Sequence, residues 1–243
     1  MTALTSAMVD GAEGTAVPEV YARLRRDILT GAMRSGTPFS QVKLAAQLGV
    51  SRTPLREALR LLEREGLVES APNRMTRVPQ IRAEDIDDLY GTRILVECLA
   101  LAGSMSVARP ESRLLVMRLV DEMDQLASTR DTLTWEIPHA AFHAELLAGS
   151  GHRLVDICTD LRDHSQMYRT RVLAEPLAWS VASLEHREIA GSFVDGDVVG
   201  ATSALARHYA RTSLALITQL DPAYDPVGIR TALRAALNGS WLP

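Results

Sequence analysis

Apolar residues recur at three- and four-residue spacings along nearly the whole chain, and this periodicity narrows the fold more than any other feature. The rows Val20, Leu24, Ile28; Leu55, Ala58, Leu59, Leu62; and Ile94, Leu95, Cys98, Leu101 each line one helical face. A chain so patterned folds mainly as α-helix. Strand signals are confined to residues 66–78, where Gly66 to Ser70, a turn at Ala71-Pro72-Asn73-Arg74, and Met75 to Val78 read as a short hairpin. Pro79-Gln80 ends it. Beyond, breaks at Arg109-Pro110, residues 128–131, Ser150-Gly151, Glu175-Pro176, Asp195-Gly196 and Asp221-Pro222 leave about six helices of bundle length, the parts of an antiparallel all-helical bundle. No internal repeat interrupts the pattern.

The chain's 243 residues exceed the roughly 100 to 200 of a usual domain, and at 47% hydrophobic and 23% charged they can bury an ordinary core. Four segments are expected: a small, polar, disordered tail over residues 1–16, a first domain over 17–79, a helical domain over 80–222, and a Gly- and Pro-punctuated extension over 223–243 with a short helix at 229–237. No run approaches the roughly 18 apolar residues of a membrane span, and the N-terminus lacks a basic region followed by an apolar one, so a cytoplasmic protein without a membrane partner is expected. Cys98 and Cys158, the two cysteines, sit in apolar surroundings and read as reduced, packed thiols.

The net charge of −4 is unevenly divided: residues 1–80 carry 11 basic and 8 acidic side chains, residues 81–243 carry 15 and 22. A local positive excess on an acidic protein suits a polyanion-binding module attached to something else. Residues 38–78 supply such a module in order: a helix over Gln41–Leu48, a turn at Gly49-Val50, a helix opening at Ser51 and running to Glu65, then the hairpin. That is the order of a winged helix-turn-helix. Gly49 suits the inter-helix turn, Ser51 can cap the second helix, and Pro54 is tolerated in its first turn. The second helix would enter the major groove by its N-terminal end. Arg52, Arg56, Arg60 and Arg64 recur every four residues on it; an arginine fork can bond guanine O6 and N7 together, while Ser51 and Thr53 can bond phosphates. The plainer alternative is a solvated face paired with Glu57 and Glu63. Arg74 at the hairpin tip could reach a phosphate or the minor groove.

The stretch LAAQLGVSRTPLREALRLLEREGLV, residues 44–68, resembles the signature of the GntR family of bacterial transcription regulators. The resemblance implies a dimer that binds a two-fold-related operator in double-stranded DNA, usually as a repressor. It places the DNA contacts on Ser51, Arg52, Thr53, Arg56 and the wing tip Asn73-Arg74. Some members carry an arginine where this chain has Val42; Lys43, the only lysine, stands beside it as the contact from that helix.

Four of the six histidines, His139, His143, His186 and His208, fall in an informative pattern. His139 and His143 are one helical turn apart, a spacing at which two imidazoles reach one ion, and His186 and His208 lie on later long helices that a bundle can bring alongside. By spacing alone, a metal site and ordinary histidines both remain open. The region after residue 80 resembles the helical effector domain of the FadR-like subfamily, the FCD type, through Arg93-x-x-x-Glu97, Phe142-His143, Glu185-His186 and Ala206-Arg207-His208. That resemblance implies a dimerising bundle holding a divalent metal by an Asp and three His, with a small carboxylate effector, an organic acid, near it. The three histidines map to His143, His186 and His208, and the aspartate position to His139. A four-imidazole site contributes no negative charge, so it keeps the full +2 of its ion, favours Zn or Ni over Mn, and holds an anion more strongly. Pro138 must sit in the first turn of its helix or kink it, and either could turn His139 away.

Arg93, His164, Arg169 and Arg171 are candidates for the effector cavity, because a buried carboxylate wants a bidentate arginine. Their alternative is structural pairing, such as Arg93 with Glu97. Two other functions share the histidines: a metal-dependent hydrolase, opposed by the lack of a glutamate that would make His139-Ala-Ala-Phe-His143 an HExxH motif, and a regulator for which the metal itself is the signal.

Overall fold

The apolar rows of the N-terminal region become the core of a small unit. The computed structural model describes residues 10–29, 31–36, 38–71, 75–172 and 176–238, and divides the chain into two units at residues 80 and 81. In the first, Val20, Leu24 and Ile28 of α1 (Asp10–Leu29) pack on Leu55, Ala58, Leu59 and Leu62 of α3 (Arg52–Arg64), all buried. Each leucine so buried stabilises by about 1.5 to 3 kcal/mol relative to exposure. Tyr21 and Arg25 of α1 fix the same contact from its edge, donating to Glu65 at 2.5 and 3.0 Å. α1 takes in residues 10–16, expected to be tail; residues 1–9 lie outside the described ones.

α2 (Gln41–Leu48) precedes α3 and ends at Gly49, whose φ of 69° is the left-handed conformation that favours glycine. Its amide reaches back to the carbonyls of Ala45 and Ala46, closing the short turn between the helices. The wing holds one strand more than the sequence suggested. β1 (Pro38–Ser40) pairs antiparallel with β3 (Met75–Arg77), which also pairs with β2 (Glu69–Ala71), giving the order β1-β3-β2. The hairpin tip, residues 72–74, lies outside the described residues.

The second unit is helical throughout its described residues: α4 (Ala83–Met105), α5 (Pro110–Ala127), α6 (Thr132–Leu147), α7 (His152–Val172), α8 (Pro176–Asp195), α9 (Val198–Leu220) and α10 (Val227–Leu237), with a short 3-10 turn after α6. α4 is the axis, packing on α6, α7, α9 and α10 through Ile86, Tyr90, Ile94, Cys98 and Leu101. Residues 223–243, expected to be an extension, contain α10, which belongs to this bundle. Buried Asp87 of α4 accepts the amides of Gly228 and Ile229 at 2.9 and 2.7 Å, satisfying the first turn of α10. A Cβ on Gly91 would stand 3.1 Å from the Gly228 backbone, so the two glycines permit this approach. Among the described residues, no helix is long and apolar enough to cross a membrane.

Candidate DNA-reading helix and metal centre

α3 buries one face and offers the other to solvent. Pro54, Leu55, Ala58, Leu59 and Leu62 are inside, while Ser51, Arg52, Thr53 and Arg56 are exposed around its N-terminal end. Ser51 stands at the cap position with extended backbone, but its side chain makes no capping bond to the helix amides; that part of the sequence reading is corrected. The helix N-terminus therefore stands together with exposed arginines, a setting that suits a phosphate. Arg56 lies 3.8 Å from Glu57, and Arg60 donates to the same carboxylate at 2.9 Å. Such exposed pairs hold an arginine weakly and leave it available to a stronger anion. Lys43 is exposed on α2. Asn73 and Arg74 lie outside the described residues.

In the second unit the polar groups are inside. His139 and His143 on α6, His186 on α8 and His208 on α9 are all buried, and each offers a ring nitrogen within 4.8 Å of those of the other three. α6 is started by Asp131, whose carboxylate accepts the amides of Leu133 and Thr134; the Thr134 hydroxyl and amide hold its pKa below the ordinary value. Pro138 sits in the second turn of α6 rather than the first, yet His139 still faces the cluster, stacked on Trp135 with ring centroids 4.4 Å apart.

Two of the rings are hydrogen-bonded through Nδ1 to groups outside the cluster. His208 Nδ1 lies 2.7 Å from Glu185 Oε2, and Glu185 also receives Arg211 at 2.5 Å. His143 Nδ1 lies 3.1 Å from the Tyr209 hydroxyl, which donates to Glu97 at 2.5 Å. His139 Nδ1 lies 3.4 Å from a Glu136 carboxylate oxygen, within ion-pair distance but without a hydrogen bond between them. His143 Nε2 is buried with no hydrogen-bond partner among the described residues, a costly state for a polar atom unless something cationic or protic meets it. Burial, reinforced by the other imidazoles, pushes His143 well below the usual histidine range, and burial also lowers His208. Both are therefore neutral at pH 7, the form that ligates a metal. Four imidazoles would suit Zn²⁺ or a similar borderline ion.

Glu185 and Glu97 stand in the sequence as parts of the FCD pattern, but their place around these rings comes from the fold. Glu185 precedes a ligand candidate and Glu136 lies three residues before another, so both were visible as spacings; Tyr209 and Glu97 meet His143 only through the tertiary fold.

The effector candidates separate. Arg93 is 1% exposed and committed within the protein, donating to Glu97 at 2.6 Å and to Ser165 at 2.8 Å, with its guanidinium 4.1 Å from the Tyr209 ring centroid. His164 is exposed on α7 and does not share Arg93's buried environment. The side chains of Arg169 and Arg171 lie outside the described residues. Both cysteines are buried free thiols: Cys98 donates to the Thr202 carbonyl at 3.4 Å, and burial pushes Cys158 up to about 12.

A winged helix-turn-helix that exposes an arginine-edged helix, in one chain with a helical bundle that buries a histidine cluster, defines a class: a DNA-binding regulator with a ligand-sensing domain. Residues 17–78 match the family of bacterial regulatory proteins, gntR family, and residues 88–211 match the FCD domain. The chain is 32% identical over 192 residues to an HTH-type transcriptional regulator in an unstable DNA locus of Streptomyces ambofaciens, covering 78% of this chain and 80% of that protein. It is 26% identical over 211 residues to the HTH-type transcriptional repressor GlaR of Escherichia coli (strain K12), covering 82% and 94% respectively. Its fold is similar to that of the solved E. coli McbR/YncC, with a TM-score of 0.68 at 21% identity over 84% of this chain and 98% of that one. The protein belongs to the GntR family of transcriptional regulators and carries an FCD domain. Family members bind DNA operators through the first unit and small-molecule effectors through the second, and they are regulators rather than enzymes.

Proposed function

We propose that the protein is a dimeric repressor whose hold on a two-fold-symmetric operator is controlled by a small carboxylate bound beside a divalent ion in the helical unit. The observation that carries this reading is the convergence of His139, His143, His186 and His208 from three helices, with ring nitrogens within 4.8 Å. These residues would hold the ion, Zn or Ni by the chemistry of four imidazoles, and the ion would supply a cationic centre for an anionic ligand. Glu185 and Glu97 stand behind two of the rings but are each balanced by an arginine, Arg211 and Arg93, so they orient the imidazoles while the ion keeps most of its charge. On the DNA side, Ser51, Arg52, Thr53, Arg56 and Lys43 would meet the operator. Coupling is thermodynamic: a ligand that favours the DNA-free arrangement weakens DNA binding by the same factor that DNA weakens the ligand.

Selection of bound sequences from a random duplex pool tests the first half, repeated with Arg52→Ala and Arg56→Ala. An inverted repeat that the variants fail to recover supports it, and no motif from the wild type at low salt contradicts it. Operator affinity titrated with metal, with and without a panel of organic acids, tests the second. Release by the acids only in the presence of metal supports the reading; release by metal alone makes the ion itself the signal.

A further inference from the structure

Three carboxylates stand behind the histidine cluster, and one of them reaches its ring through an intermediary. The Tyr209 hydroxyl donates to Glu97 Oε2 at 2.5 Å and lies 3.1 Å from His143 Nδ1, on the side of that ring away from the partnerless Nε2. A hydroxyl has one proton. At 2.5 Å from a carboxylate oxygen, that proton must lie between the two oxygens, because two bare oxygens at this distance would repel. The Tyr209 oxygen is then an acceptor towards His143, so Nδ1 must carry the proton of the neutral ring and Nε2 must carry the lone pair. Tyr209 is itself held on both sides: Glu97 takes its proton, and the Arg93 guanidinium lies 4.1 Å from its ring centroid while also donating to Glu97 and Ser165.

We propose that Tyr209 is a positioning residue for the metal centre, fixing through Glu97 the tautomer and ring orientation in which His143 presents Nε2 to an ion. The inference rests on the reading of the cluster as a metal site. In this role Arg93 and Glu97 serve the cluster from one shell out, and Arg93 ties the cluster to α7 through Ser165. Outer partners of this kind commonly govern affinity by 10- to 100-fold.

The test uses the full chain, purified without a nickel column, and measures Co²⁺ affinity by chelator competition together with the visible spectrum of the bound ion. Tyr209→Phe, which keeps the ring and removes the hydroxyl, is expected to weaken Co²⁺ about 10- to 100-fold and to alter the spectrum. Added to His143→Ala it should cost nothing further, because the ring it positions is gone. Glu97→Asp, which keeps the charge opposite Arg93 and shortens its reach to the Tyr209 hydroxyl, is expected to weaken binding in the same direction and decides the matter if Tyr209→Phe fails to fold. Wild-type affinity in both variants, or the same loss from Tyr209→Phe with and without His143, overturns the proposal and leaves the hydroxyl a packing feature. A wild type that binds no Co²⁺ overturns the metal reading beneath it.

Discussion

The two units set the same pair of residue types in opposite surroundings. On α3, Arg56 and Arg60 meet Glu57 at the surface, at 3.8 and 2.9 Å, with more than two-fifths of each side chain exposed. On α4, Arg93 meets Glu97 at 2.6 Å with each 1% exposed. The exposed arginines cost little to keep and give little to stability, so they remain available to a polyanion. The buried pair is costly to desolvate and is tolerated because every partner is used: Glu97 accepts from Arg93 and Tyr209, and Arg93 also donates to Ser165. Binding of DNA calls for charges on display, whereas holding imidazoles in place calls for charges already spent on each other.

Removing one partner should expose the difference. Glu97→Ala leaves Arg93 buried without its counter-charge and should destabilise the helical unit by about 3 to 5 kcal/mol, read by urea unfolding followed through circular dichroism. A cost of less than about 1 kcal/mol would erase the contrast with α3. Next in size, Arg52→Ala or Arg56→Ala should weaken operator binding by about 1 to 3 kcal/mol and relax the sequence preference while leaving metal affinity unchanged, measured by fluorescence anisotropy at fixed salt.

Acid sharpens the comparison further. His143 and His208 are held below the ordinary value by burial, so they stay neutral in the folded, metal-free unit at pH values where the unfolded chain takes up protons. Their full contribution to stability is present above the unfolded value near 6.5 and falls as pH drops from there towards the folded values. The slope should reach about 1.4 kcal/mol per pH unit for each ring, seen as a falling unfolding midpoint of the metal-free protein. Asn or Gln at both positions should flatten it. Smallest of all, Glu57→Ala should change stability by less than about 1 kcal/mol.

Legibility followed the range of the interactions. Gly49, the apolar row of α3 and the arginine spacing act within a few residues, and the winged helix-turn-helix could be read from them. β1 could not, since three residues, Pro38, Phe39 and Ser40, carry no alternation and pair with residues 75–77 far along the chain. The histidines announced themselves by an i, i+4 pair, but their outer partners Tyr209 and Glu185 are supplied by neighbouring helices. His164 was placed inside by residue type and lies outside by helix phase. α10 was legible as a short helix over 229–237 but not as part of the bundle, because Gly228 and the prolines around it signal a loop; Asp87, 141 residues earlier, turns that glycine into a docked helix start.

The most direct test of the account is the metal content of the wild type and of His139→Ala, both purified without a nickel column and dialysed against trace metals. The account predicts close to one divalent ion per chain in the wild type and a clear loss in the variant. No ion in either, or the same ion content in both, would contradict it.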